Sequence, residues 1–272
     1  MVLIVNEANA TECRSGLETN IPEFRIAVVT GAARGLGLSI AKSLASDGHL
    51  CILVDRLAEV EDVAKEISGP SRQAEGYRAD LAKPQDMAGL IDRIVARHGR
   101  LDILVNNAGI NPLSAGNAIY AFEDIPLDTW NDTLAVNLTS VFYLCQKVIP
   151  HMRARRWGRI INISSRTART YTGTASANYV ASKSGILGLT RQIAGEFGPY
   201  GITANCIAPG PIVSPMSLAD GGNMNETRAA SSPLRRVGMP QEIGATVGFL
   251  ASEEAAYITG AIIDLNGGSF MP

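Results

Sequence analysis

Two sets of residues in this chain have the types and spacing to do chemistry. The first is Thr30-Gly31-Ala32-Ala33-Arg34-Gly35-Leu36-Gly37, which follows a short apolar run and leads into a helix-length segment. Glycines suit a sharp turn whose backbone must approach a pyrophosphate, and a helix N-terminus then offers free N–H groups and partial positive charge. The spacing is Gly-x3-Gly-x-Gly. It departs from GxGxxG, because a pattern begun at Gly35 would place Ile40 at its third glycine. Twenty residues after Gly35 stands Asp55, at the end of Leu50–Val54. A carboxylate there can accept hydrogen bonds from the adenosine ribose hydroxyls, although a solvated strand-end aspartate is the plainer alternative. The same carboxylate repels a 2′-phosphate, which favours NAD over NADP. Arg34 and Arg56 argue the other way, since either could reach a phosphate; Arg56 would equally pack over the adenine ring.

The second set is Tyr179 and Lys183, four residues apart and so on one face of a helix. A free tyrosine has a pKa near ~10, too high for a base at neutral pH. An ammonium about 4–5 Å away, at an effective dielectric of about 20, offers roughly 3–4 kcal/mol of gross stabilisation to the phenolate. After desolvation, a fall of about one to three pKa units is the expectation, which would make Tyr179 a working general acid/base. Taken alone, the pair reads better as a packed tyrosine beside a solvated lysine.

The elements that must position these residues alternate between short apolar runs and helical stretches. Such a pattern predicts an α/β fold, a doubly wound parallel sheet of about seven strands with helices on both faces. Predicted strands are Ile26–Thr30, Leu50–Val54, Arg72–Arg78, Ile103–Asn106, Gly158–Ile163, Thr203–Ile207 and Ala261–Leu265. Several are almost continuously apolar, as strands buried on both faces should be. Predicted helices include Leu38–Asp47, Pro84–His98, Asp128–Arg155, Tyr179–Phe197 and Gln241–Ala251, the last with Pro240 in its first turn. No repeat, low-complexity tract or linker divides the chain, so residues 25–272 are expected to form a single domain behind an N-terminal extension, 1–24. The stretch Ser214–Ser232 is expected to be a long polar loop, of the kind that often serves as a lid.

Bulk properties narrow the function classes. Of 272 residues 46% are hydrophobic and 18% charged, so a large core is expected and disorder is not. A formal net charge of −2 gives no electrostatic reason to expect nucleic acid or a membrane surface. The short apolar start at Met1 lacks a basic region and is too short for a signal peptide core or a spanning helix. Cys13, Cys51, Cys145 and Cys206 lie far apart with no metal-like spacing, so the last three are expected to be buried, inert thiols. A reducing, cytoplasmic setting and no metal are the corresponding expectations.

Four further segments share an order with the glycine turn: Asn106-Asn107-Ala108-Gly109, then Asn137, then Ser164-Ser165 ahead of Tyr179-Val180-Ala181-Ser182-Lys183, and Pro209-Gly210. The ordered set resembles the short-chain dehydrogenase/reductase family in its single-domain, Rossmann-type branch, over roughly residues 25 to 270. The resemblance implies a catalytic tetrad of Asn137, Ser165, Tyr179 and Lys183. In it Ser165 holds the substrate oxygen, Tyr179 moves the proton, Lys183 binds the nicotinamide ribose and Asn137 holds a water linking Lys183 to solvent. Ser164 competes with Ser165. The family's serine stands some 13 residues before the tyrosine, and here the gap is 14 from Ser165 and 15 from Ser164.

The resemblance also implies cofactor contacts. These are Gly31, Arg34, Gly35, Leu36, Gly37, Asp55 and Arg56, then Asp80-Leu81 at the adenine, and Asn107 and Gly109 beside the ribose. Pro209, Gly210, Ile212 and Ser214 would grip the carboxamide. The implied reaction is hydride transfer between NAD, or less favoured NADP, and a secondary alcohol or ketone, in a homotetramer. Two alternatives stand beside it: a 3-oxoacyl-[acyl-carrier-protein] reductase using NADPH, against which Asp55 weighs, and a non-catalytic dinucleotide-sensing module, which would have no use for Tyr179 and Lys183. The acceptor pocket would form from the segments after Asn111 and Ser165 and the loop 214–232. Arg166 and Arg169 there could pair with a substrate anion or serve a surface contact, and Tyr120 and Phe122 could line the pocket or anchor their loop.

Overall fold

The computed structural model describes residues 24–70, 72–116, 118–214 and 224–272. Cys13 and the central part of the 214–232 stretch lie outside them. Seven strands form one parallel sheet: β1 (Ile26–Thr30), β2 (Leu50–Asp55), β3 (Gln73–Arg78), β4 (Ile103–Asn106), β5 (Gly158–Ile163), β6 (Ile202–Pro209) and β7 (Ile262–Leu265). Their order across the sheet is β3-β2-β1-β4-β5-β6-β7. The winding direction reverses between β1 and β4, so the crevice for a ligand opens beyond the carboxyl ends of those two strands.

Alternation along the strands divides the core into two layers. Ile26, Val28, Ile52, Leu104 and Ile160 pack with Leu90, Ile94, Leu144, Val148 and Ile186. Those last residues belong to α3 (Leu90–His98), α5 (Ser140–Arg155) and α6 (Ala177–Phe197). On the other face Ala27, Val29, Leu53, Val105 and Ile161 meet Ile40, Leu44, Val60, Ala64, Ile243 and Val247. These come from α1 (Gly35–Ser46), α2 (Val60–Ile67) and α8 (Pro240–Ala251). Strands β1 and β4 are buried throughout, which is why their sequences are apolar at successive positions.

Several elements differ from the sequence reading. A helix, α2, stands between β2 and β3, where none was named; Val60, Ala64 and Ile67 bury its inner face. The segment 84–98 is two pieces, Pro84–Met87 and α3, because Gly89 turns left-handed with φ +73°. The helix expected over 128–155 is α4 (Leu127–Leu134), a π turn over Ala135–Thr139, and α5. Strand β6 runs on to Pro209. The expected loop contains a helix, α7 (Met224–Ala230), and its far end is pinned where buried Ser232 donates to the Gly267 carbonyl at 2.7 Å.

Candidate active site

The turn after β1 is built on two left-handed glycines, Gly31 at φ +64° and Gly35 at φ +60°. Gly37 is there for space: a Cβ on it would collide with the Gly31 carbonyl and lie 2.6 Å from the Asn107 amide nitrogen. The first turn of α1 carries no acid and no side-chain cap, and Arg34 stands exposed at its N-cap position. That uncompensated N-terminus, behind a cradle any Cβ would fill, fits the pyrophosphate of a dinucleotide. Leu36 packs inward onto the core layer of α1.

Asp55 ends β2 with one carboxylate oxygen accepting from Ala33 N at 3.0 Å and the other from Leu57 N at 3.1 Å. Each oxygen keeps lone-pair capacity for a ribose hydroxyl. Beside it opens a cleft of about 600 Å³ lined by Arg56, Arg78, Lys83, Arg93, Asp80 and Asp86. Asp80 and Leu81, expected at the adenine, lie just past the end of β3 at Arg78. Leu81 is buried in the core, and the Asp80 carboxylate accepts from Ala82 N.

Asn107 serves the glycine turn directly. Its amide donates to the Thr30 and Gly31 carbonyls at 2.9 and 3.1 Å. Thr30 Oγ1 in turn accepts from the N–H groups of Asn107 and Ala108. The side chain expected beside the ribose is thus committed to joining the ends of β1 and β4. Gly109 gives close passage: a Cβ there would sit 3.1 Å from Lys183 Nζ and 3.4 Å from Asn137 Oδ1.

Tyr179 and Lys183 lie one turn apart near the start of α6, with Lys183 buried and Tyr179 half-buried. The ammonium donates to the Ile163 carbonyl at 2.9 Å and lies 5.9 Å from the centre of the Tyr179 ring. Burial pushes the Lys183 pKa down to about 8, with Cys206 pulling weakly the other way. The expected fall in the Tyr179 pKa is not found in the protein alone. Burial raises it, opposed by a hydrogen bond from Ser165. At this separation, with Lys183 held by Ile163, the attraction of the ammonium does not outweigh loss of water around the phenol.

The two serines divide clearly. Ser164 is buried and donates to the Lys183 carbonyl at 2.8 Å, tying β5 to α6. Ser165, one residue on, acts instead on the Tyr179 phenol, whose pKa it pulls down against burial. Its oxygen also accepts from Thr167 N at 3.2 Å and Thr167 Oγ1 at 3.0 Å.

Asn137 sits fully buried in the π turn, a break in regular helix of the sort often found at functional sites. Its oxygen accepts from Ile110 N at 2.8 Å, and its amide donates to Ile110 O at 2.9 Å and Ser182 Oγ at 3.1 Å. The geometry brings Asn137, Ser165, Tyr179, Lys183 and Gly109 together in the crevice.

The Pro209–Ser214 segment leaves β6 along a second anchor. Gly210 N donates to Leu265 O, and Ile212 bridges to Gly238, with Val213 N and Gly238 N closing bonds on either side. Ile212 is buried and Ser214 half-buried. Arg169 is committed: it forms a two-pronged ion pair with Asp264 at 3.0–3.2 Å and lies over the Phe270 ring. Arg166 is half-buried, burial lowers its pKa, and no ion pair to it is present among the described residues. Tyr120 N donates to Ser176 Oγ, so that loop is anchored, whereas Phe122 is 79% exposed.

Sequence reading missed Thr167 and Ser182, whose neighbours Ser165 and Lys183 could have signalled them. It also missed the carbonyls of Ile110 and Ile163, which no side-chain type announces. Cys51, Cys145 and Cys206 are buried and free, and burial pushes their thiols up to about 12. Among the described residues there is no group of side chains able to hold a metal ion, and no helix is long and apolar enough to cross a membrane.

Comparison with known proteins agrees with this fold. A family model described as enoyl-(acyl carrier protein) reductase matches residues 31–269. The 3-oxoacyl-[acyl-carrier-protein] reductase FabG of Staphylococcus aureus is 39% identical over 247 residues, 90% of this chain and 98% of that protein. FabG of Salmonella typhimurium is 39% identical over 250 residues, 92% of this chain and 98% of that protein. A crystal structure of a 3-oxoacyl-[acyl-carrier protein] reductase from Brucella melitensis superposes with a TM-score of 0.85 at 33% identity, covering 91% of this chain and 92% of that one. A second, from the same organism with bound NAD, gives 0.84 at 30% identity, covering 100% and 98%. On sequence, fold and motif order together, the chain belongs to the short-chain dehydrogenase/reductase family and is an NAD(P)-dependent oxidoreductase.

Proposed function

We propose that the chain reduces the ketone of a 3-oxoacyl-type substrate to a secondary alcohol, with Ser165, Tyr179, Lys183 and Asn137 as its working residues. The observation that carries this is the convergence of the Ser165 hydroxyl, the Tyr179 phenol and buried Lys183 at the sheet's carboxyl edge, in a chain so close to FabG over that protein's whole length. The relatives favour this reading over general alcohol oxidation and over a non-catalytic module. The dinucleotide, when bound, supplies the hydride. The protein supplies position and proton: Ser165 donates to the carbonyl oxygen, and Tyr179 gives that oxygen its phenolic proton. Lys183 binds the nicotinamide ribose and steadies the phenolate left behind. Asn137 keeps the π turn, Ile110 and the start of α6 in register and holds the water that leads from Lys183 to solvent.

NAD is the preferred cofactor in this reading. The Asp55 carboxylate at the end of β2, with lone pairs left for a ribose hydroxyl, would repel a 2′-phosphate. Arg56, Arg78 and Lys83 around the neighbouring cleft are the opposing consideration. Pro209, Gly210, Ile212 and Ser214 would hold the carboxamide, and the protein would work as a homotetramer. The test is a turnover assay on 3-oxoacyl thioesters and simple ketones with NADH and NADPH in parallel. Tyr179→Phe is expected to lose at least ~10³-fold in kcat while binding dinucleotide normally. Substantial residual turnover in that variant, or tighter binding of NADPH than NADH, would refute the assigned base or the assigned cofactor respectively.

A further inference from the structure

Ser165 has one proton and two lone pairs to share. Both lone pairs are occupied from the same neighbour: Thr167 N donates at 3.2 Å and Thr167 Oγ1 at 3.0 Å. The backbone makes this possible, because Ser165 caps a short 3₁₀ turn over Arg166–Ala168 that folds Thr167 back over it. What remains to Ser165 is its own O–H, free to donate; the serine lies close enough to Tyr179 to oppose the rise in the phenol's pKa.

We infer that Thr167 is a positioning residue for the proposed reaction, holding Ser165 as an obligate hydrogen-bond donor toward the substrate oxygen. The inference rests on that reading of Ser165 and Tyr179. Its chemical consequence concerns the proton. A serine with both lone pairs filled cannot accept from an alcohol O–H, so the only route for the substrate proton, in either direction, is Tyr179. A hydroxyl that accepts two hydrogen bonds is also a better donor, because the bonds polarise one another. The stronger donor matters most where negative charge grows on the carbonyl oxygen, which is in the transition state and not in the bound ketone.

The experiment compares Thr167→Val and Thr167→Ser with the wild-type holoenzyme. Valine keeps the shape and the backbone N–H but loses the hydroxyl donor; serine keeps the donor. Thr167→Val is expected to lower kcat about 3- to 10-fold, the worth of one neutral hydrogen bond, with KM changed less than about twofold. Thr167→Ser is expected to restore kcat to within about twofold of wild type. A second readout needs no substrate. Ultraviolet titration of phenolate, with Tyr179→Phe as the reference, should show Tyr179 ionising at higher pH in Thr167→Val, since a freed Ser165 supports the phenolate less. Unchanged kcat with an unmoved phenolate titration overturns the inference, as does a Thr167→Ser variant as impaired as Thr167→Val. Full activity in Tyr179→Phe would instead overturn the proposed function, while the titration still reports on Thr167.

Discussion

Lys183 is buried with its ammonium on the Ile163 carbonyl, and burial holds its pKa near about 8. An unfolded lysine titrates at ~10.4, so below about 8 both states carry the proton and the folded state bears the full cost of burying it. Between about 8 and ~10 the folded lysine sheds its proton while the unfolded one keeps it, and stability from this group rises with pH. Tyr179, whose pKa is raised, acts in the opposite sense only above ~10, where the unfolded phenol ionises first. For protein stripped of dinucleotide, the Tm of wild type is expected to gain on that of Lys183→Met as pH goes from 8 to 10. A difference between the two curves that stays flat across this window would contradict the assigned shift.

Among elements, the junction of β1, α1 and the end of β4 is the tightest at the site. Asn107 clamps the Gly31 carbonyl from one side and Gly37 passes it on the other. Gly37→Ala forces α1 away from β1, because its new methyl meets the Gly31 carbonyl oxygen and the Asn107 amide, neither of which can yield without breaking the clamp. Overpacking of this kind costs about 1–3 kcal/mol, and moving α1 also misaims its N-terminus. A dinucleotide affinity at least ~10-fold weaker and a lower Tm are expected, read by fluorescence titration and thermal unfolding. Native affinity in that variant would mean that the turn tolerates the shift. The π turn over Ala135–Thr139 is the other special element. It was legible only as an asparagine in a helix, and a helix drawn straight through Asp128–Arg155 hides it.

For the whole molecule, apolar side chains remain outward on the helices that flank the sheet. Leu127 is 72% exposed on α4, Phe142 is 50% exposed on α5 and Phe249 is 47% exposed on α8. In the proposed tetramer such faces would be covered, and covering them would contribute about 25 cal/mol per Å² of apolar surface. Light scattering is expected to give close to four times the chain mass of 28.8 kDa. A monomeric mass would remove the tetramer and leave these side chains without a role.

The sheet was legible in the sequence because its strands are buried on both faces, which writes them as apolar runs. Ile26–Thr30, Ile103–Asn106 and Gly158–Ile163 have the bounds the sequence predicts. So were the glycine turn and Asp55, written in residue types, and the pair four residues apart on a helix, whose spacing depends only on local chain conformation. Tertiary structure decided what depends on distance across the chain. It set Ser164 against α6 and Ser165 toward Tyr179, residues 14 apart in sequence, a choice that rests on where one strand ends relative to one helix. It committed Arg169 to Asp264, 95 residues away, and Asn107 to the turn after β1. It also decided the acidity of the site. Spacing puts Lys183 near Tyr179, but whether an ammonium lowers a phenol's pKa depends on burial and on competing partners. Here the Ile163 carbonyl and the loss of water around the phenol outweigh it.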